Sequence, residues 1–263
     1  MEMLKKLVLA LALLIMYLLI DNLWRVLGQF DMFSEINQWI QYSIRYTLQI
    51  GLCFAFTLTL LSFVKEPYNL FDTLGLKTKT SYGLFISILF TLPMLLGYSI
   101  IAPLNMEITF LEILFWSFIS GFSEELLFRG FLFGLLFRVL KIGFFPSIFL
   151  ASILFGIGHL YQGGDLNNTL IIFAITFFGS LVFGWLYIEW DNNLWVPIGT
   201  HIFMNLYWSI FDLDATNALG GWGANIFRFL TILLIIVLTF LKIKKDGSHL
   251  KGKLLTLDYN YGH

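Results

Sequence analysis

The chain has 263 residues, is 58% hydrophobic, carries charge on only 13% of them and has a mean hydropathy of +0.81. A soluble domain of this length carries roughly twice that charge, so a water-compatible surface cannot be assembled and the bilayer must act as the solvent. A net charge of −1 gives no basis for a nucleic-acid partner, and a lone cysteine, Cys53, rules out an internal disulfide and reads as a small buried apolar residue.

A helix needs about 20 apolar residues to cross about 30 Å of hydrocarbon. On that measure spans fall near 4–20, 42–64, 82–102, 111–137, 143–160, 168–189, 194–211 and 225–243. The first, with Lys5 and Lys6 ahead of its apolar run, resembles the opening of a signal peptide. Asp21-Asn22-Leu23-Trp24-Arg25 follows where a small-residue cleavage site would stand, so an uncleaved first transmembrane helix is expected. The connections carry turn chemistry: Lys65-Glu66-Pro67, Gly75 to Ser81, Pro103-Leu104-Asn105, Gly163-Gly164-Asp165, Asp191-Asn192-Asn193 and Gly220-Gly221. The tail from Lys242 to His263 is polar and basic and is expected to be loosely ordered in the cytoplasm, with His249 and His263 in solvent. The fold class that follows is all-α, a polytopic transmembrane bundle of about eight helices in the plasma membrane.

Lys and Arg orient the bundle. With the N-terminus in the cytoplasm, the inner segments hold Lys5, Lys6, Lys65, Lys77, Lys79, Arg138, Lys141, Lys242, Lys244, Lys245, Lys251 and Lys253, which is 12 of the 16 basic residues. Only Arg25, Arg45 and Arg228 fall at outer edges, and Arg129 lies within a span. An even number of helices returns the C-terminus to the same side, so both termini are expected to be cytoplasmic.

The fourth span reads Ser123-Glu124-Glu125-Leu126-Leu127-Phe128-Arg129-Gly130. A charge at the centre of a membrane helix costs at least roughly 3 kcal/mol, so such groups face a bundle interior or a wet cavity and mark function by default. Glu125 and Arg129 are four apart and share a face, which predicts an ion pair. Glu124 lies about 100° around a regular helix from Glu125 and has no counter-ion on its own helix. The two glutamates are therefore expected on different faces, one bracing and one serving a site. His159 closes the fifth span after Phe155, and His201 and Asn205 project from one face of the seventh. His, His, Asn and an unpaired Glu from three helices form a plausible metal-binding or water-activating cluster. Ser117 with Gly121, and Gly130 with Gly134, allow a neighbouring helix to approach closely.

The three motifs Glu124-Glu125-x-x-x-Arg129, Phe155-x-x-x-His159 and His201-x-x-x-Asn205 occur in the order found in the CPBP intramembrane proteases. That family includes type II CAAX prenyl proteases and bacteriocin-processing and abortive-infection proteins, and the chain resembles it. The resemblance covers roughly 85–210 as a CAAX-protease-like catalytic core, between N-terminal helices at 1–84 and a last helix at 211–245 with a tail at 246–263. It implies an endopeptidase acting on a membrane-associated or lipidated protein or peptide. It also implies catalytic roles for Glu124, His159, His201 and Asn205, with Phe155 in the site wall and Glu125–Arg129 supporting it.

Two chemistries remain open. Glu124 and His159 polarise water directly while His201 and Asn205 donate to the oxyanion; or a divalent ion, Zn²⁺ foremost, is held by His159 and His201 with Glu124 or Asn205. Two His with one carboxylate is a familiar zinc set, which favours the metal. The rival readings are a non-enzymatic membrane immunity protein and a proton-coupled transporter, whose relay residues would line a path through both faces.

Overall fold

In a computed structural model, the described residues are 2–30, 35–64, 69–213, 219–250 and 254. Lys65-Glu66-Pro67 and most of the tail, His263 included, lie outside them. Eight long helical rods run in chain order: α1 Glu2–Leu27, α2 Gln38–Phe63, α3 Thr80–Ile101, α4 at 110–139, α5 Phe144–Gly158, α6 Leu166–Glu189, α7 Trp195–Ile210 and α8 Trp222–Asp246. A single extra turn, Leu70–Thr73, precedes α3.

Six of these are long and apolar enough to cross a membrane by length and composition: α1, α2, α3, α5 with the turn after it, α6 and α8. Their outward faces confirm which solvent they suit. Leu4, Leu7, Leu11, Ile15 and Leu19 of α1 are all exposed, a stripe that water would not tolerate. The two rods outside that set, α4 and α7, hold most of the candidate site. α4 carries Glu124, Glu125 and Arg129 in mid-helix, and α7 has 16 residues, about 24 Å of helix.

α4 is the most irregular rod. A Thr109–Glu112 capping box starts it. Wide π-type turns then occupy Ile113–Ile119, Leu126–Phe133 and Leu135–Val139, enclosing a regular stretch at Ser120–Glu125. Such turns are rare and gather at functional positions. α4 threads the centre of the molecule. Residues 126–137 are buried throughout, which places it among α1, α2, α5 and α7 in the main hydrophobic cluster.

The helices alternate, so each connection lies at one of two ends. At one end Lys5 Nζ donates to the Phe63 carbonyl over 2.6 Å. There too Arg138 donates to the Thr73 carbonyl and the Tyr187 hydroxyl, and Trp195 Nε1 donates to the Leu76 carbonyl. This basic end also holds the C-terminus of α8. At the opposite end Leu104 and Phe211 form an antiparallel bridge, and the Tyr98 hydroxyl donates to the Ala224 carbonyl. Cys53 is fully buried.

The start of the tail departs from the expectation of a loose, solvated segment. The Ser248 hydroxyl and the His249 backbone N–H both donate to the Glu189 carboxylate, at 2.7 and 3.0 Å. The His249 ring pairs with Asp191 at 3.0 Å, and Leu250 is buried in the main cluster. The cause is a carboxylate at the end of α6 that would otherwise be buried without donors, together with one apolar residue able to reach the core.

Candidate active site

Local sequence brings α4 and α7 into contact first. A Cβ on Gly121 would lie 2.9 Å from Ile202 Cγ1 and 3.1 Å from the Ile202 backbone nitrogen. Only glycine lets the helices approach this closely, and Glu124, Glu125 and His201 sit one turn or less from the crossing.

Glu125 is fully buried and its Oε1 accepts two hydrogen bonds. One comes from Arg129 Nη1 at 3.0 Å and the other from His201 Nδ1 at 2.7 Å. The Arg129 guanidinium is held between two rings, 4.6 Å from the Phe155 centroid and 5.4 Å from that of Phe183, a cation–π arrangement strengthened by desolvation. Phe155 in turn packs at a tilt against His159, with centroids 4.4 Å apart. One ion pair therefore links α4 to α5, α6 and α7.

The Nδ1 proton of each histidine follows from these bonds. A carbonyl can only accept, so His159, whose Nδ1 lies 2.7 Å from the Phe155 carbonyl, carries its proton there and leaves the Nε2 lone pair available. The Glu125 carboxylate, already paired with Arg129, likewise accepts from His201 Nδ1, which directs His201 Nε2 to the other side of the ring. There it lies 3.9 Å from Glu124 Oε2. That is too long for a hydrogen bond and wide enough for a bridging water or substrate oxygen.

Glu124 is held differently from its neighbour. Its Oε1 accepts from the Ser120 hydroxyl at 2.8 Å, and its side chain is 27% exposed where that of Glu125 is 0% exposed. His159, His201 and Arg129 all act electrostatically on it. Asn205 donates from Nδ2 to the Trp116 carbonyl at 3.2 Å, leaving one amide hydrogen and Oδ1 to the cavity.

The expectation that the two glutamates serve different faces is therefore corrected. Both engage His201, one at each ring nitrogen. A rotation of about 100° is spanned because glutamate side chains are long and an imidazole presents nitrogens on two sides. Sequence reasoning also missed Ser120 and Phe183. Ser120 is four residues before Glu124, a helical pairing that the pattern carried; Phe183 is one apolar residue of many on α6 and had no such signal.

Glu124, Glu125, Arg129, Phe155, His159, His201 and Asn205 all line one cavity of about 1810 Å³. Among the described residues no three His, Cys, Asp or Glu side chains are gathered as a metal site requires. The free donors nearest that purpose are the Nε2 atoms of His159 and His201 and the Glu124 carboxylate.

The comparisons with known proteins fall on this region. Residues 106–207 match the family described as type II CAAX prenyl endopeptidase Rce1-like. A Bacillus subtilis (strain 168) protein named "Putative membrane peptidase YdiL" is 34% identical over 104 residues, which span 40% of this chain and 38% of that protein. The similarity thus extends over about two fifths of the relative's length. No solved structure matches the chain significantly. Through residues 106–207, the stretch that carries Glu124, Glu125, Arg129, His159, His201 and Asn205, the chain is thus similar to the type II CAAX prenyl endopeptidase Rce1-like family.

Proposed function

We propose that the protein is an intramembrane endopeptidase in which Glu124 activates water. The observation that carries this reading is the pair of environments one residue apart: Glu125 is fully buried with its Oε1 held by Arg129 and His201, while Glu124 faces the cavity with an ordered partner, Ser120, and a 3.9 Å gap to His201.

Amide hydrolysis needs a base for water, donors for the oxyanion and an acid for the leaving amine. Water in the gap gives its proton to Glu124 as its oxygen attacks the scissile carbonyl carbon. His159 Nε2 accepts the water's second hydrogen bond and orients it. Asn205 Nδ2 and protonated His201 Nε2 donate to the oxyanion. Glu124 then delivers the proton to the leaving nitrogen as the C–N bond breaks. Glu125 holds His201 by Nδ1, so the positive ring that donates to the oxyanion faces a fixed carboxylate, the arrangement by which an orienting acid supports a catalytic histidine.

A divalent ion bound by His159 and His201 with Glu124 or Asn205 would supply Lewis acidity to the same water, but these donors are not gathered into a ligand set, and every step above uses the chain's own groups. Among the described residues the cavity's lining lies toward one end of the bundle, which disfavours a transporter's relay. Its contents, rather than its walls alone, set a peptidase apart from an immunity protein that only binds.

The test compares membrane proteomes of cells bearing wild-type protein or Glu124→Gln. A membrane-associated polypeptide accumulating uncleaved with Glu124→Gln is the expected result, and identical proteomes at equal enzyme abundance would remove the peptidase reading. Chelation of the purified wild-type protein, followed by Zn²⁺, reports on the metal. Activity that survives chelation supports the assignment above, whereas activity lost to chelation and restored by Zn²⁺ replaces it.

A further inference from the structure

α2 lies outside 106–207, the stretch that matches the family, yet it packs along α4 past the site. The Trp39 and Phe115 ring centroids are 5.3 Å apart, Gln49 Nε2 donates to the Ser123 carbonyl at 3.0 Å, and the Phe56 and Phe131 centroids are 5.7 Å apart. Later residues of one helix meet later residues of the other, so the two run parallel. Gln49 and Ser123 are 74 residues apart in the chain, and the same offset sets Tyr46 opposite Ser120. There the hydroxyl of the half-buried Tyr46 hydrogen-bonds with the Ser120 side chain, and Glu124 is close enough to act on it electrostatically.

The direction of these bonds follows from what each group can donate. An ionised carboxylate only accepts, so Ser120, 2.8 Å from Glu124 Oε1, gives its one hydroxyl proton there. Lone pairs alone remain on Ser120 Oγ, so Tyr46 is the donor to it. A serine inside a helix otherwise turns its proton back to the carbonyl four residues earlier. For Ser120 that carbonyl belongs to Trp116, and it accepts from Asn205 Nδ2 at 3.2 Å. The wide turn at Ile113–Ile119 helps, because the Ser120 backbone N–H bonds to the Phe115 and Ser117 carbonyls and takes one donor off that of Trp116.

We infer that Tyr46 is a positioning residue of the site: its hydroxyl commits the Ser120 proton to Glu124 Oε1, which leaves Glu124 Oε2 to face His201 Nε2 across the 3.9 Å gap. This role rests on the reading of Glu124 as the base. Tyr46 is not among the described residues that line the cavity, whereas Ser120 and Glu124 are, so it acts through Ser120. Hydrogen bonds in series polarise one another, and two hydroxyls in a chain hold the carboxylate more firmly than one. Without the phenol hydroxyl, Ser120 is released to turn toward the Trp116 carbonyl, where it competes with Asn205. One change on α2 then loosens both the base and a donor to the oxyanion.

Dicyclohexylcarbodiimide, a lipid-soluble reagent for carboxyl groups, reads Glu124 without turnover when mass spectrometry locates the adduct. Wild-type protein in membranes is compared with Tyr46→Phe, Ser120→Ala and the double variant. Glu112 lines the same cavity and is held by Thr109, so it serves as the internal reference. A carboxyl group freed of its partner meets the reagent more readily, and several-fold faster reaction at Glu124 is expected in each single variant. The double variant should react no faster than Ser120→Ala, because both changes break one chain. Reaction at Glu112 and membrane abundance should not change. On the polypeptide that accumulates with Glu124→Gln, Tyr46→Phe should lower kcat about tenfold with KM unchanged. Wild-type labelling of Glu124 in Tyr46→Phe, or a Tyr46→Phe effect that persists in full beside Ser120→Ala, overturns the proposal. Absence of cleavage by the wild-type protein would remove the peptidase reading, and the labelling would still decide whether Tyr46 holds Glu124 through Ser120.

Discussion

At its basic end the bundle is filled to the axis, with Phe131, Leu132, Phe133 and Leu135 of α4 fully buried and Arg138 tied to Thr73 and Tyr187. At the other end the helices surround a cavity of about 1810 Å³, and the Leu104–Phe211 bridge and the Tyr98 hydrogen bond to Ala224 tie the chain together. The site lies on the border between them. Glu125 falls on the packed side and Glu124 on the open side, so adjacent residues of one type take up opposite work. A buried carboxylate with two donors is a structural part, whereas a carboxylate with room beside it can exchange a proton.

The comparison breaks most severely at Glu125. Glu125→Ala leaves the Arg129 charge buried without its partner, a loss of about 3–5 kcal/mol. Folded protein in the membrane is expected to fall sharply, Arg129→Ala doing the same, as read by membrane abundance and by melting in detergent. Glu124→Gln keeps shape and removes the base; normal abundance with abolished turnover is expected. A well-folded, inactive Glu125→Gln beside an active Glu124→Gln would reverse the two roles.

Smaller effects sharpen the picture. Gly121→Leu forces Ile202 away from α4 and is expected to cost about 1–3 kcal/mol by overpacking. Because it also moves His201 from Glu124, turnover should drop more than stability does, and an unchanged rate would separate the helix crossing from the chemistry. The least effect is expected at the basic end. Ser248→Ala removes one donor to Glu189 and should cost about 1 kcal/mol, seen as a small shift in melting with no change in rate.

Much of this was legible from the chain alone. Spans read from runs of apolar residues lie on all eight rods, because a bilayer leaves a backbone few alternatives to helix. The Glu125–Arg129 pairing was readable because both partners sit on one helix, four residues apart. The relation of Glu124 to Glu125 was not, since it depends on where His201 of α7 inserts its ring, a contact across 76 residues of chain. Phe183, which covers Arg129, was hidden for the same reason. The docking of Ser248 and His249 on Glu189 escaped notice because short polar segments carry no periodicity.

The sequence by itself determined that the protein is a helical membrane bundle, where its long helices fall, and which ionisable residues must face inward, because each of these follows from the local cost of placing polar groups in hydrocarbon. Only the tertiary structure decided that both glutamates reach His201, which ring nitrogens of the histidines face the cavity, and which aromatic rings cover Arg129. Those depend on distances between helices remote in sequence, which packing sets and no local pattern encodes.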